Sequence, residues 1–90
     1  MPRVELTSHL ARHVAEAKPA DVDGATVREV LDAYFAKYPG VREYVLDDQG
    51  ALRKHVVIFV HDTQARDRKA LTDPVGADQT VYVLQALSGG

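Results

Sequence analysis

TVREVLDAYFAKYPG, residues 26–40, is the stretch on which the fold turns. Thr26 and Glu29 have the T-x-x-E spacing of a capping box, in which hydroxyl and carboxylate satisfy two backbone N–H groups left over at a helix start. Val27, Val30, Leu31, Tyr34, Phe35 and Tyr38 then recur at helical spacing, so one stripe of the helix faces a core. Pro39-Gly40 stops it, since Pro cannot continue the hydrogen-bond ladder and Gly tolerates positive φ. The spacing predicts a helix of about 12 residues.

Upstream, Val4 and Leu6 alternate with Arg3 and Glu5, the period-2 pattern of a half-buried strand. Residues 7–14 read as neither helix nor strand, although Leu10 and Val14 stand at i, i+4. Residues 15–22, with Pro19 inside, predict a weak edge strand entering a turn at Asp23-Gly24. Downstream, residues 41–46 suit a single helical turn, and Asp47-Asp48-Gln49-Gly50 is a turn signal. HVVIFV, residues 55–60, is a continuous β-branched and aromatic run and predicts a central strand covered on both sides. His61-Asp62-Thr63 closes it. Residues 65–72 read as a short edge strand plus one helical turn, and Asp73-Pro74 and Gly76-Ala77-Asp78 are breakers. Residues 80–86 form the last strand. Strands around one amphipathic helix predict an α+β domain, a mixed sheet with the helix packed across one face.

Ninety residues predict a single domain at the small end of what folds without metal or cross-links. The apolar fraction of 46% and near-balanced charges argue against disorder. Thirteen acids against eleven bases give a formal net charge of −2, and the densest basic stretch, Arg66, Arg68 and Lys69, has Asp67 inside it. A nucleic-acid partner is therefore not expected. The absence of Cys excludes disulfides, thiolate metal sites and a cysteine nucleophile. No apolar run approaches the roughly 20 residues of a membrane span, and the first residues lack a secretory-signal pattern. No membrane partner and a cytoplasmic location are the expectation.

Other constellations carry little chemistry. His9 and His13 have the i, i+4 spacing of a helical metal pair but no evident third ligand. His55 and His61 flank one strand, too far apart to share a metal. The pairs Asp47-Asp48 and Asp21-Asp23 lie beside turns, where Asp side chains cap local backbone groups. Ser88 has no His/Asp partners that spacing can locate.

Ser88-Gly89-Gly90 follows the last strand. Gly has no Cβ, so such a chain end threads a narrow channel and approaches a reactive centre closely. Fully extended, residues 86–90 reach roughly 15–18 Å beyond the strand. The element order, Tyr38-Pro39-Gly40-Val41-Arg42, the strand at residues 55–60 and the terminal Gly89-Gly90 together resemble the prokaryotic ubiquitin-like sulfur carriers, the MoaD/ThiS family. The resemblance spans nearly the whole chain, and its segment 38–60 looks more like the molybdopterin-synthase small subunit and the cysteine-biosynthesis carrier than the thiamine carrier. It departs from the family where Arg66 to Leu71 replace a Gly-rich turn before Leu, where Ala77-Asp78-Gln79 replaces a frequent Asp-Gly-Asp/Glu turn, at Gln85 where Pro is common, and at His61 where Asn is frequent.

The resemblance implies a β-grasp (ubiquitin-like) fold with a flexible tail over residues 86–90. It implies a protein substrate rather than an enzyme, with Gly90 as the point of adenylation and sulfur attachment and Gly89 and Ser88 as the threading segment. An E1-like adenylating enzyme using ATP and a sulfur-accepting synthase are the implied partners; the chain itself needs no bound cofactor and no metal. Partner recognition falls on the sheet face beside the tail. If Val81 and Val83 point to the core, alternation places Tyr82 and Leu84 on the opposite face. Leu84 is then a docking anchor with Tyr82 and Leu87, or else core. Two rivals share the tail: a ubiquitin-like modifier conjugated through Gly90, and an interaction domain whose glycines are incidental.

Overall fold

The computed structural model describes residues 1–7 and 17–85. Among them, β1 (Arg3–Leu6), β2 (Ala20–Asp21), β3 (Val56–Val60), β4 (Thr63–Gln64) and β5 (Thr80–Gln85) form one sheet in the order β2-β1-β5-β3-β4. β1 and β5 run parallel and the other neighbours antiparallel. Helix α1 (Val27–Lys37) packs across one face, followed by a 3-10 turn (Pro39–Val41) and a single helical turn, α2 (Arg42–Val45). His9 and His13 lie outside the described residues.

The capping box forms. Thr26 Oγ1 accepts from the Glu29 N–H at 3.2 Å, while Glu29 Oε1 accepts from the Ala25 N–H at 2.8 Å, one residue ahead of the cap. The next free donors of the helix start, the N–H groups of Val27 and Arg28, bond the carbonyls of Asp73 and Leu71. A distant loop thus completes the helix terminus. Gly24 precedes it with φ +154°, and a Cβ there would stand 2.7 Å from the Val30 nitrogen, so the close approach requires glycine.

The helix ends just before Pro39, as expected, but the glycine's share in the stop is not the expected one. Pro39 opens the 3-10 turn, where its missing N–H costs nothing, and Gly40 is not left-handed. The predicted turn at Asp47 to Gly50 is present: Asp47 Oδ1 accepts from the Gln49 and Ala51 N–H groups, and Gly50 takes φ 81°.

Val27, Val30, Leu31, Tyr34 and Phe35 of α1 face Val4, Val56, Ile58, Val60, Val81 and Val83 of the sheet in one buried cluster, with Tyr38 partly buried at its margin. β3 is an interior strand, as expected, paired with β5 on one side and β4 on the other, while β5 stands third of the five. One expectation is corrected here. Among the described residues β3 is covered on one face only, with Val56, Ile58 and Val60 buried and Val57 and Phe59 half-buried. A continuous apolar run imitates a doubly covered strand, yet the described residues lay a helix against one face of it.

Residues 65–72 hold no helical turn, and the edge strand lies earlier, at Thr63–Gln64. A carboxylate organises the segment instead. Asp67 accepts from the N–H groups of Lys69, Ala70 and Thr72 and, at 2.6 Å, from the Thr72 hydroxyl. The Thr72 hydroxyl bond first, then these backbone donors, hold its carboxyl well below the usual carboxylate range. Arg28 clips the loop to α1 by donating to the carbonyls of Lys69 and Ala70, and reaches Gly50 at 2.8 Å. Leu71 takes φ 58° and is fully buried, so packing offsets its backbone strain.

Tyr34 is fully buried and its hydroxyl donates to the Lys18 carbonyl at 2.8 Å. Burial, and secondarily Tyr38, pushes its phenol up to about 12. In the unfolded chain the phenol ionises from about pH 10, so between about 10 and 12 only the folded state retains the proton and stability falls as pH rises. Tyr34→Phe should cost about 1 kcal/mol at neutral pH. Urea unfolding should also show a shallower loss of stability from pH 10 to 12 in this variant than in the parent.

Candidate functional site

The sheet face opposite α1 carries the candidate site. Alternation along β5 buries Val81 and Val83 and turns Tyr82 and Leu84 outward, as expected. Register sets Phe59 opposite Tyr82 and Val57 opposite Leu84, while Glu5 of β1 flanks Tyr82 on the other side. Thr7 donates its N–H to the Val83 carbonyl and so reaches the same end. Thr7, Phe59, His61, Tyr82 and Leu84 line a shallow, mostly apolar depression of about 290 Å³. Tyr82 is 38% exposed, one of the few large apolar side chains of the described chain so open to water. Leu84 is half-buried and stands outside the core cluster, which decides between its two readings in favour of the surface.

β5 ends at the same place. Gln85 closes β5 opposite Val56, and Leu84, its neighbour, borders the depression. Gln85 Oε1 is buried without a hydrogen-bond partner among the described residues. Leu87, Ser88, Gly89 and Gly90 lie outside the described residues, as does the tail of residues 86–90 to which flexibility was assigned.

Phe59, Val57, Thr7 and His61 were not read from the sequence as site residues. Their signal is the register between β3 and β5, which places two side chains of an apolar run beside Tyr82 and Leu84. His61 takes φ 57° in the two-residue link between β3 and β4, a left-handed position at which Asn and His are the tolerated non-glycine residues. Asp21 makes a long ion pair with Arg3, at 3.8 Å, and Asp47 caps its turn. Among the described residues no group of three or more His, Asp or Glu side chains could hold a metal, and no helix is long and apolar enough to cross a membrane.

Residues 5–90 match the model of the ThiS family. The sulfur carrier protein CysO of Mycobacterium tuberculosis is 28% identical over 97% of this chain and 96% of its own length. Its crystal structure superposes with a TM-score of 0.80 at 26% identity, covering 97% of this chain and all of that one. SAMP1 of Haloferax volcanii, a small archaeal modifier protein, is 28% identical with a TM-score of 0.76, covering 98% and 97%. The fold is shared further with the Amycolatopsis orientalis BexX/CysO complex, at 24% identity and a TM-score of 0.82 over the whole of both chains. The mixed five-stranded sheet with α1 packed across one face is therefore the β-grasp architecture.

Proposed function

Because the chain belongs to the ThiS family, we propose that it is a sulfur carrier whose Gly90 carboxylate is adenylated and then converted to a thiocarboxylate. The observation that carries the reading is that Gly89-Gly90 follows, in sequence, only four residues after the end of β5, the strand whose Tyr82 and Leu84 line the apolar depression. The family match extends to that residue, and the CysO relative is itself named a sulfur carrier.

A carboxylate resists nucleophiles because of its charge. An E1-like partner overcomes this with ATP: a Gly90 carboxylate oxygen attacks the α-phosphorus and pyrophosphate leaves. Hydrosulfide then attacks the acyl carbon, the bond to AMP breaks, and thiocarboxylate and AMP are the products. The carrier supplies no general base. Its share is positioning, since holding reactants in place is worth up to roughly 7–11 kcal/mol. A sulfur-accepting synthase then takes the thiocarboxylate, with cysteine- or molybdopterin-type biosynthesis as the destination. Incubation with ATP, the adenylating enzyme and sulfide, followed by mass spectrometry, should show oxygen-to-sulfur exchange at the C-terminus. An unchanged mass with an enzyme that activates a control carrier would overturn the assignment.

The likeness to SAMP1 favours one second reading, a modifier joined through Gly90 to lysines of other proteins. Conjugates in the same incubation, with cell extract added, identify it.

Docking gives a separate expectation. An exposed apolar anchor is worth more to a partner than to the fold. Tyr82→Ala and Leu84→Ala should each leave the thermal midpoint nearly unchanged. Each should lower the adenylation rate at limiting carrier by about tenfold or more, a loss of at least about 1.4 kcal/mol in binding.

A further inference from the structure

Three cations gather near the end of the sheet at which β5 finishes, although the chain as a whole carries a formal net charge of −2. Val56 pairs with Gln85, the last residue of β5, and Lys54 and His55 directly precede Val56. Arg68 reaches across to the same place, its guanidinium donating to the Arg53 carbonyl at 2.6 Å and to that of Lys54 at 3.4 Å. Lys54, Arg68 and Lys69 share the wall of one broad depression. Residues 53–69 carry five Lys and Arg against Asp62 and Asp67, in a chain of formal net charge −2. Asp67 is turned onto its own loop by four hydrogen bonds. Asp47, the one acid lining that depression, spends Oδ1 on two backbone N–H groups. The ion pairs found among the described residues involve Arg3, near the start of β5 and so at the other end of the sheet. Lys54 and Lys69 are exposed.

We propose that Lys54, Lys69 and Arg68 form a cationic collar around the tail base that docks on an acidic rim at the mouth of the adenylating partner's cleft. This rests on the carrier reading and adds the chemistry of the surface that receives the tail. A partner that takes Gly90 into a cleft must bring the cleft's mouth against the base of the tail, about 15–18 Å back along an extended chain of five residues. The collar occupies that position. Like charges on the partner would oppose entry there, whereas carboxylates would speed encounter and set the direction in which the tail arrives. The apolar depression supplies holding contacts, and the collar supplies steering.

The test compares the parent chain with Lys54→Gln/Lys69→Gln and with Arg3→Gln, a neutralisation at the far end. Association with the adenylating enzyme is followed by stopped flow from about 0.05 M to about 1 M salt, where the screening length shrinks to about 3 Å. The collar variant should associate about tenfold more slowly at low salt, with a flattened salt dependence, and should match the parent at high salt. Arg3→Gln should follow the parent throughout. Equal rates for parent and collar variant at low salt would overturn the collar while leaving the carrier reading intact. A parent chain that the enzyme never adenylates would overturn the carrier reading itself, and the two failures are thereby told apart. Retention on duplex DNA at low salt, with a salt-independent association with the enzyme, would assign the cations to a nucleic-acid surface and also overturn it.

Discussion

A chain lacking Gly90 should fold as the parent does and yield no thiocarboxylate. The buried core of the described residues runs from Val4 to Val83, and β5 ends at Gln85, five residues before Gly90. Its removal should leave the unfolding midpoint where it was. The chemistry should respond quite differently. The reactive carboxylate would retreat by roughly 3.3–3.6 Å, the span of one extended residue. A displacement of about 1 Å already costs on the order of 100-fold when a reaction depends on alignment. Adenylation should therefore fall below detection, as read by pyrophosphate release and by the intact mass after incubation with sulfide. A truncated chain that gains sulfur on Gly89 at the parental rate would remove the ground for assigning the chemistry to Gly90.

Leu31→Ala should produce the largest loss of stability, about 2–5 kcal/mol. Leu31 stands in the middle of α1, is fully buried, and belongs to the stripe that seats the helix on the sheet. Truncation removes three carbon atoms from a close-packed site and leaves a cavity that one helix on one sheet cannot easily close. A domain of this length holds roughly 5–13 kcal/mol in all, so the variant forfeits a large share. At about 4–8 °C per kcal/mol, the midpoint should drop by roughly 10 °C or more. Calorimetry of Leu31→Ala beside Leu84→Ala makes the contrast, since the two leucines are equal in size and differ in which face of the sheet they occupy. A loss under about 1 kcal/mol for Leu31→Ala would mean that the helix is not held by this stripe.

The amphipathic helix was legible because its information is local. A cap at Thr26, a partner at Glu29 and six apolar residues at helical spacing all lie within 13 positions. Its far end was only half legible. Pro39 stops the helix as expected, but whether the next residues turn left-handed or wind into a 3-10 turn depends on where Val41 and Val45 find the core. The segment at residues 65–72 misled for a related reason. Its charges suggested a solvated turn of helix, whereas Asp67 gathers the N–H groups of the following residues into a cradle and Arg28, more than forty residues away in sequence, clips it.

The division between sequence and structure at the site follows the same physics. Alternation is a property of a single strand, so Tyr82 and Leu84 could be placed opposite Val81 and Val83 from the sequence of β5 alone. The Gly89-Gly90 end was equally plain, being a matter of which atoms are present. Register and layer count are properties of pairs of elements, and no single segment contains them. Only the folded chain puts Phe59 opposite Tyr82, leaves that face of β3 without a covering helix among the described residues, and gathers Lys54, Arg68 and Lys69 around one depression. Local patterns determine what each segment becomes; which segments meet is settled by burying the one apolar face the whole chain can cover.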